Sequence, residues 1–111
     1  ILTLSFILKT NKERIKACNK FTYDIHNIEN KKIHCIFTTG GTGIGPRDLT
    51  PESIMDLNPT LIPGIGENLR ASGAMHTPMS YGSRSLGAIL DKTLIIALPG
   101  STKATEQGIA A

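Results

Sequence analysis

Cysteine is scarce in this chain, and the two present do not pair into a motif. Cys18 and Cys35 form no C-x-x-C and have no histidine at ligand spacing. That excludes a disulfide framework and leaves them as buried apolar thiols of a cytoplasmic protein. No apolar run approaches membrane-spanning length, so a membrane span is not expected. Ile1 to Leu8 is apolar but lacks a basic leader and a small-residue cleavage site, so it does not read as a signal peptide. Charge of one sign is also in short supply. A formal +3 suits anionic small molecules, whereas nucleic acid needs a sharper basic stripe. With 111 residues the chain is one small domain, near the lower size for a three-layer α/β fold. It opens on Ile1 rather than methionine, which suits a processed, partial or reconstructed sequence.

Glycine is absent from the first third. All eleven glycines lie at or beyond residue 40, while residues 1–37 are rich in Lys, Asn and Ile. The first third therefore reads as structural. Ile1 to Leu8 has the β-branched and aromatic content of strand. Asn11 can cap a helix whose stripe is Ile15, Cys18, Phe21, Ile25 and Ile28, with Lys12, Arg14, Lys16 and Lys20 on a solvated face.

The glycines begin abruptly after the apolar run Ile33 to Phe37, which reads as a buried strand. Thr38-Thr39-Gly40-Gly41-Thr42-Gly43-Ile44-Gly45-Pro46-Arg47-Asp48-Leu49-Thr50-Pro51-Glu52 follows. Four glycines in six positions let the backbone adopt positive φ and approach a ligand closely. Successive N–H groups in such a turn form a nest for an anion. The hydroxyls of Thr38, Thr39 and Thr42 add donors, and Arg47 offers a planar fork for phosphate. Asp48 is the one carboxylate among these donors, placed to hold Mg²⁺ or steer a nucleophile. Thr50 reads as the N-cap of the next helix, with Pro51 at its first position and Glu52 in its first turn. The chain thus runs strand, glycine-rich loop, helix. A tight turn with no ligand is the plain alternative. No Gly-Lys-Ser/Thr follows, so this is no Walker A loop, and Pro46 breaks the dinucleotide fingerprint.

The rest divides by its breakers. Ile54, Met55 and Leu57 continue a short helix that Pro59 ends. Pro63 to Gly66 reads as a turn, and Glu67 to Met75 as a helix weakened by Gly73. His76 reads as a boundary histidine, and Met79 to Arg84 as a polar loop. Thr93 to Leu98 is the clearest strand, a continuous apolar run typical of a central parallel position. Pro99-Gly100-Ser101-Thr102-Lys103 follows it as a second strand–loop–helix junction, with Ser101 or Thr102 as cap. A helix start with Ser, Thr and Lys is an anion site. At the carboxyl ends of parallel strands, both junctions would open on one edge of the sheet.

The long motif from Thr38 to Glu52 resembles the signature of the MoaB/Mog family of molybdenum cofactor biosynthesis, which includes molybdopterin adenylyltransferase and the gephyrin G domain. The likeness continues through Pro63-Gly64-Ile65-Gly66-Glu67, Ser83-Arg84-Ser85 and Leu98-Pro99-Gly100-Ser101-Thr102-Lys103-Ala104, covering roughly residues 33–108. It implies a single three-layer αβα domain over 1–111 with a mainly parallel sheet, the molybdopterin-binding fold. By the same resemblance a βα unit is missing between Ser5 and Phe6, and the last helix stops short at Ala111. Asn11 also stands where the family often has an aspartate.

The resemblance implies an enzyme that transfers AMP from Mg-ATP to the terminal phosphate of molybdopterin, releasing pyrophosphate. Thr39, Gly40, Gly41, Thr42, Gly43 and Arg47 would then surround a nucleotide or pterin phosphate. Asp48 would be catalytic and hold Mg²⁺, and Thr50 and Glu52 would support the loop. Ser83, Arg84, Pro99, Gly100, Ser101 and Lys103 would line the second anion subsite, with Arg84 either on a phosphate or paired with a carboxylate. A homotrimer and fusion to another cofactor-synthesis domain are further implications. The alternative is a non-catalytic molybdopterin-binding or scaffold protein of the same fold, which Asn11 and the missing unit favour.

Overall fold

A computed structural model describes residues 2–5 and 34–111. The expected strand at Phe6 to Leu8 and the amphipathic helix after Asn11, with Cys18, lie outside these residues.

Five strands form one sheet in the order β1-β2-β5-β4-β3. They are β1 (Leu2–Ser5), β2 (Cys35–Thr39), β3 (Thr60–Leu61), β4 (Leu86–Leu90) and β5 (Thr93–Leu98). The β1–β2 and β2–β5 pairs are parallel, and the β5–β4 and β4–β3 pairs are antiparallel. Two reversals restore direction, so β4 alone runs against the rest. The sheet is mixed, yet mainly parallel as the sequence predicts.

Among the described residues three α-helices cover it: α1 (Thr50–Met55), α2 (Pro63–Ala74) and α3 (Thr102–Ala110). A 3₁₀ helix, Pro78–Gly82, follows α2. The core on the α1 side joins Ile36, Ala88, Ile95 and Ala97 of the sheet to Ile54 and Leu57. On the opposite face Leu98 meets α2 and α3. A Cβ built at Gly108 would stand 3.0 Å from the Leu98 side chain and 3.4 Å from that of Leu69. Helices thus lie on both faces of the sheet, as the αβα reading requires.

The structure departs from the sequence reading at three places. The first is β4, over residues for which that reading names no element. Gly87 and Ala88 are weak strand formers. Gly87 is nonetheless required, because a Cβ there would stand 2.6 Å from Ile65 of α2. Second, residues 63–66 are not a separate turn but the first turn of α2. Pro63 supplies a preset helical φ at its start. Gly66 is buried against the Ser85 carbonyl, 2.7 Å from where a Cβ would sit. Third, the Met79 to Arg84 loop opens with the 3₁₀ helix, whose Thr77 cap accepts a hydrogen bond from the Met79 N–H.

Candidate functional site

The two junctions meet. Thr39 at the end of β2 is in register with Leu98 at the end of β5, and the strands are parallel. Both loops therefore leave the same edge of the sheet. The Gly40 N–H donates to the Leu98 carbonyl at 3.1 Å. A Cβ built at Gly100 would lie 3.0 Å from the Gly40 Cα, so glycine is what allows the loops to touch.

Gly40 and Gly41 both have positive φ, 90° and 69°. That turn folds the loop back over the start of α1. The Thr50 hydroxyl donates to the Gly40 carbonyl at 2.8 Å. The Thr50 N–H donates to the Gly41 carbonyl at 3.1 Å. The expectation that Thr50 caps α1 is thus corrected. The N-cap is Leu49, without a side-chain bond, and Thr50 is the first helical residue. Its hydroxyl serves the glycine loop instead of an N–H of its own helix.

Two further carbonyls are held from the chain segment after the 3₁₀ helix. The Arg84 N–H donates to the Thr42 carbonyl at 2.6 Å. The Arg84 Nε donates to the Gly43 carbonyl at 2.7 Å. Its Nη2 donates to the Asp48 carbonyl at 2.5 Å, and its Nη1 pairs with the Glu52 carboxylate. Carbonyls 40, 41, 42 and 43 are thus all bonded toward α1 and Arg84. In a trans peptide the N–H points opposite to the carbonyl. Amides 41 and 42 are consequently turned away from Thr50, and amides 43 and 44 away from Arg84, as successive donors of the kind that cradles an anion.

Asp48 closes the loop from within. Its Oδ2 accepts the Gly45 N–H at 2.9 Å, and its own N–H returns to the Gly45 carbonyl at 3.0 Å. Gly43 and Gly45 leave the room it needs, since a Cβ at either would stand 2.7 or 2.9 Å from that oxygen. Burial pushes the Glu52 carboxyl up, but the hydrogen bond and charge of Arg84, with a backbone bond, outweigh it and hold the group below the usual carboxylate range.

The other expected residues fall into three places. Thr39 and Thr42 stay with the loop, Thr42 buried and Thr39 half-buried, and Arg47 is exposed near its tip. Thr38 does not reach the cradle. It is 0% exposed and its hydroxyl is buried without a hydrogen-bond partner. Ser101 caps α3, its Oγ accepting the Ala104 N–H at 3.2 Å, and Lys103 is exposed in the first turn of that helix. Ser83 and Pro99 share the wall of a cavity of about 210 Å³ between α2 and α3. Arg84 is placed on the glycine loop, where its bonds are to Gly43, Asp48 and Glu52 rather than to the second junction.

A metal such as Mg²⁺ takes one or two carboxylates and completes its octahedron with water and substrate phosphates. Among the described residues no three of His, Cys, Asp and Glu gather. Asp48 commits one carboxylate oxygen to Gly45, which leaves the other for a cation shared with a phosphate. That donor set fits a substrate-borne Mg²⁺ and no protein cage. Among the described residues, no helix is long and apolar enough to cross a membrane.

A family model described as a probable molybdopterin binding domain matches residues 11–111. A molybdenum cofactor biosynthesis bifunctional protein from Synechococcus elongatus is 53% identical over 75 residues, 68% of this chain and 24% of that protein. A molybdopterin adenylyltransferase from Helicobacter pylori is 34% identical over 96 residues, 86% of this chain and 49% of that enzyme. The chain therefore spans half or less of the length of these relatives. Among solved structures, MogA superposes with a TM-score of 0.77 at 37% identity, over 83% of this chain and 61% of its own. MoaB from Thermus thermophilus superposes with a TM-score of 0.73 at 27% identity, over 97% and 84%. Family model, relatives and fold agree, and the chain belongs to the molybdopterin-binding domain family of the MoaB and Mog proteins.

Proposed function

We propose that the paired junctions form the phosphate site of an adenylyl transfer from Mg-ATP to molybdopterin. The observation that carries this reading is the nest itself. Four successive carbonyls are bonded to Thr50 and Arg84, which leaves amides 41–44 directed away from those partners, on a loop that touches Gly100 of the second junction. The resemblance to enzymes named molybdopterin adenylyltransferase supplies the substrates.

In the reaction an oxygen of the pterin's terminal phosphate bonds to the α-phosphorus of ATP. The bond from that phosphorus to the β-phosphate oxygen breaks, and pyrophosphate leaves. Little covalent work falls to the protein, so positioning and charge compensation do most of it. Amides 41–44, with Thr39 and Thr42, would hold one phosphate. Pro99, Gly100, Ser101 and Lys103 would meet a second across the contact of Gly40 with Gly100. Ser83 would line the adjoining cavity. Arg47, exposed at the loop tip, would meet phosphate oxygens as they enter. Bound Mg²⁺, held by the second Asp48 oxygen, would neutralise charge as the phosphates exchange. No nucleophile–base pair is called for, because the pterin phosphate is itself the nucleophile.

Lys103→Ala and Asp48→Ala separate binding from chemistry. The first should raise the Kd for Mg-ATP about tenfold, read by calorimetry. The second should lower turnover more than binding, and unchanged turnover would remove Asp48 from the reaction. The reading includes a homotrimer in the cytoplasm, checked by sedimentation at three times the chain mass of 11.9 kDa. Fusion to a further domain is supported by the bifunctional relative.

A further inference from the structure

We propose that Arg84 is a positioning residue of this cradle and not one of its anion ligands. The proposal rests on the reading of amides 41–44 as a phosphate nest. Arginine in a phosphate site is ordinarily taken to touch the phosphate. Here four of its five side-chain N–H donors go to the protein. The Arg84 backbone N–H holds the Thr42 carbonyl. Its Nε holds Gly43, its Nη2 holds Asp48, and its Nη1 is paired with Glu52.

The chemistry of those contacts is directional. A carbonyl that accepts from Arg84 fixes the plane of its peptide, and with it the opposite direction of the next N–H. The Thr42 and Gly43 carbonyls therefore aim amides 43 and 44. Thr50 does the same for amides 41 and 42 through the Gly40 and Gly41 carbonyls. Thr50 aims half of the nest; in the other half the Arg84 backbone N–H aims amide 43 and its side chain aims amide 44. Glycine gives this loop freedom that would otherwise let the planes turn. Arg84 removes that freedom before a ligand arrives, and Glu52 holds the guanidinium in place.

Two further features fit a brace. Arg84 sits between Ser83 and Ser85, whose hydroxyls bond each other at 2.9 Å. The Ser83 and Ser85 carbonyls accept from Arg70 of α2 at 3.4 and 2.8 Å. The segment that carries Arg84 is thus tied to α2, and its guanidinium is tied to α1. A planar fork donates from three separate nitrogens held in a fixed geometry, whereas an ammonium donates from a single point.

The test is Mg-ATP and pyrophosphate binding by calorimetry on the wild type, Arg84→Ala, Arg84→Lys, Glu52→Gln and the Arg84→Ala/Glu52→Gln double variant. Thermal melts confirm folding. A positioning role predicts that Arg84→Ala weakens both ligands about tenfold and that lysine restores little of it. Glu52→Gln should weaken them about threefold, and the double variant should match Arg84→Ala, because Glu52 acts only through Arg84. Amide exchange should also quicken at Gly45 in ligand-free Arg84→Ala, a change that loss of a mere phosphate contact would not cause. If instead Glu52→Gln tightens binding, Arg84 has been released onto the phosphate and the proposal is overturned while the cradle stands. If Arg84→Ala fails to fold, the sign of the Glu52→Gln effect decides alone. If the wild type binds neither ligand, the cradle reading falls and this proposal with it.

Discussion

At the scale of single residues, the glycine loop is shaped by what a side chain would collide with. Gly41 combines a φ of 69° with a Thr50 hydroxyl 2.2 Å from where a Cβ would be. Gly41→Ala should therefore destabilise the fold by about 1–3 kcal/mol, read from denaturant melts, with loss of ligand binding. Glu52 gives a pH signature. Its carboxyl is lowered from a free value of 4.5, so the native state prefers its charged form. The stability this contributes is complete above that value and is lost as pH falls through the lower native one. The side chain is 50% exposed, so the effect should stay below about 1 kcal/mol. Acid melts of the wild type and Glu52→Gln, compared down to about pH 3, should converge as Glu52 protonates. Legibility in the sequence divides here by distance. The glycines, Asp48 and Thr50 lie within one motif and are readable together. The work of Arg84 is not, because its partners Glu52, Asp48 and Gly43 are 32, 36 and 41 residues away.

At the scale of elements, strands with continuous apolar runs declare themselves. Ile36 in β2 and Ile95 and Ala97 in β5 belong to such runs, and all are buried. The strand β4 does not, because its formation depends on β5 beside it and on α2 above it. Gly87 exists for that packing. Gly87→Ala should push Ile65 off the sheet and cost about 1–3 kcal/mol, with faster amide exchange along α2. An unchanged melt would mean that α2 is less closely seated than 2.6 Å implies. The helix start at Pro63 was obscured for a related reason. Gly64 and Gly66 disfavour helix in isolation, each by about 1 kcal/mol, and burial of Gly66 against Ser85 outweighs that locally. Ser101, by contrast, is one of the two caps the sequence offers, with Thr102, since capping needs partners only three residues ahead.

At the scale of the molecule, the proposed function depends on two loops far apart in sequence being carried to one edge. Parallel pairing of β2 with β5 does this, and the Gly40–Gly100 contact keeps the loops together. Both junctions are legible in the sequence, and the resemblance implies the chemistry they would share. It could not announce how the carbonyls of residues 40–43 are turned, which requires the folded positions of Thr50 and Arg84. The activity proposed for this edge is adenylyl transfer. The most direct measurement follows the α-phosphate label of ATP with Mg²⁺ and molybdopterin present. Labelled adenylyl-molybdopterin and one pyrophosphate per transfer are expected. Molybdopterin bound by the protein with no label transferred would contradict it and leave a pterin-binding protein of the same fold.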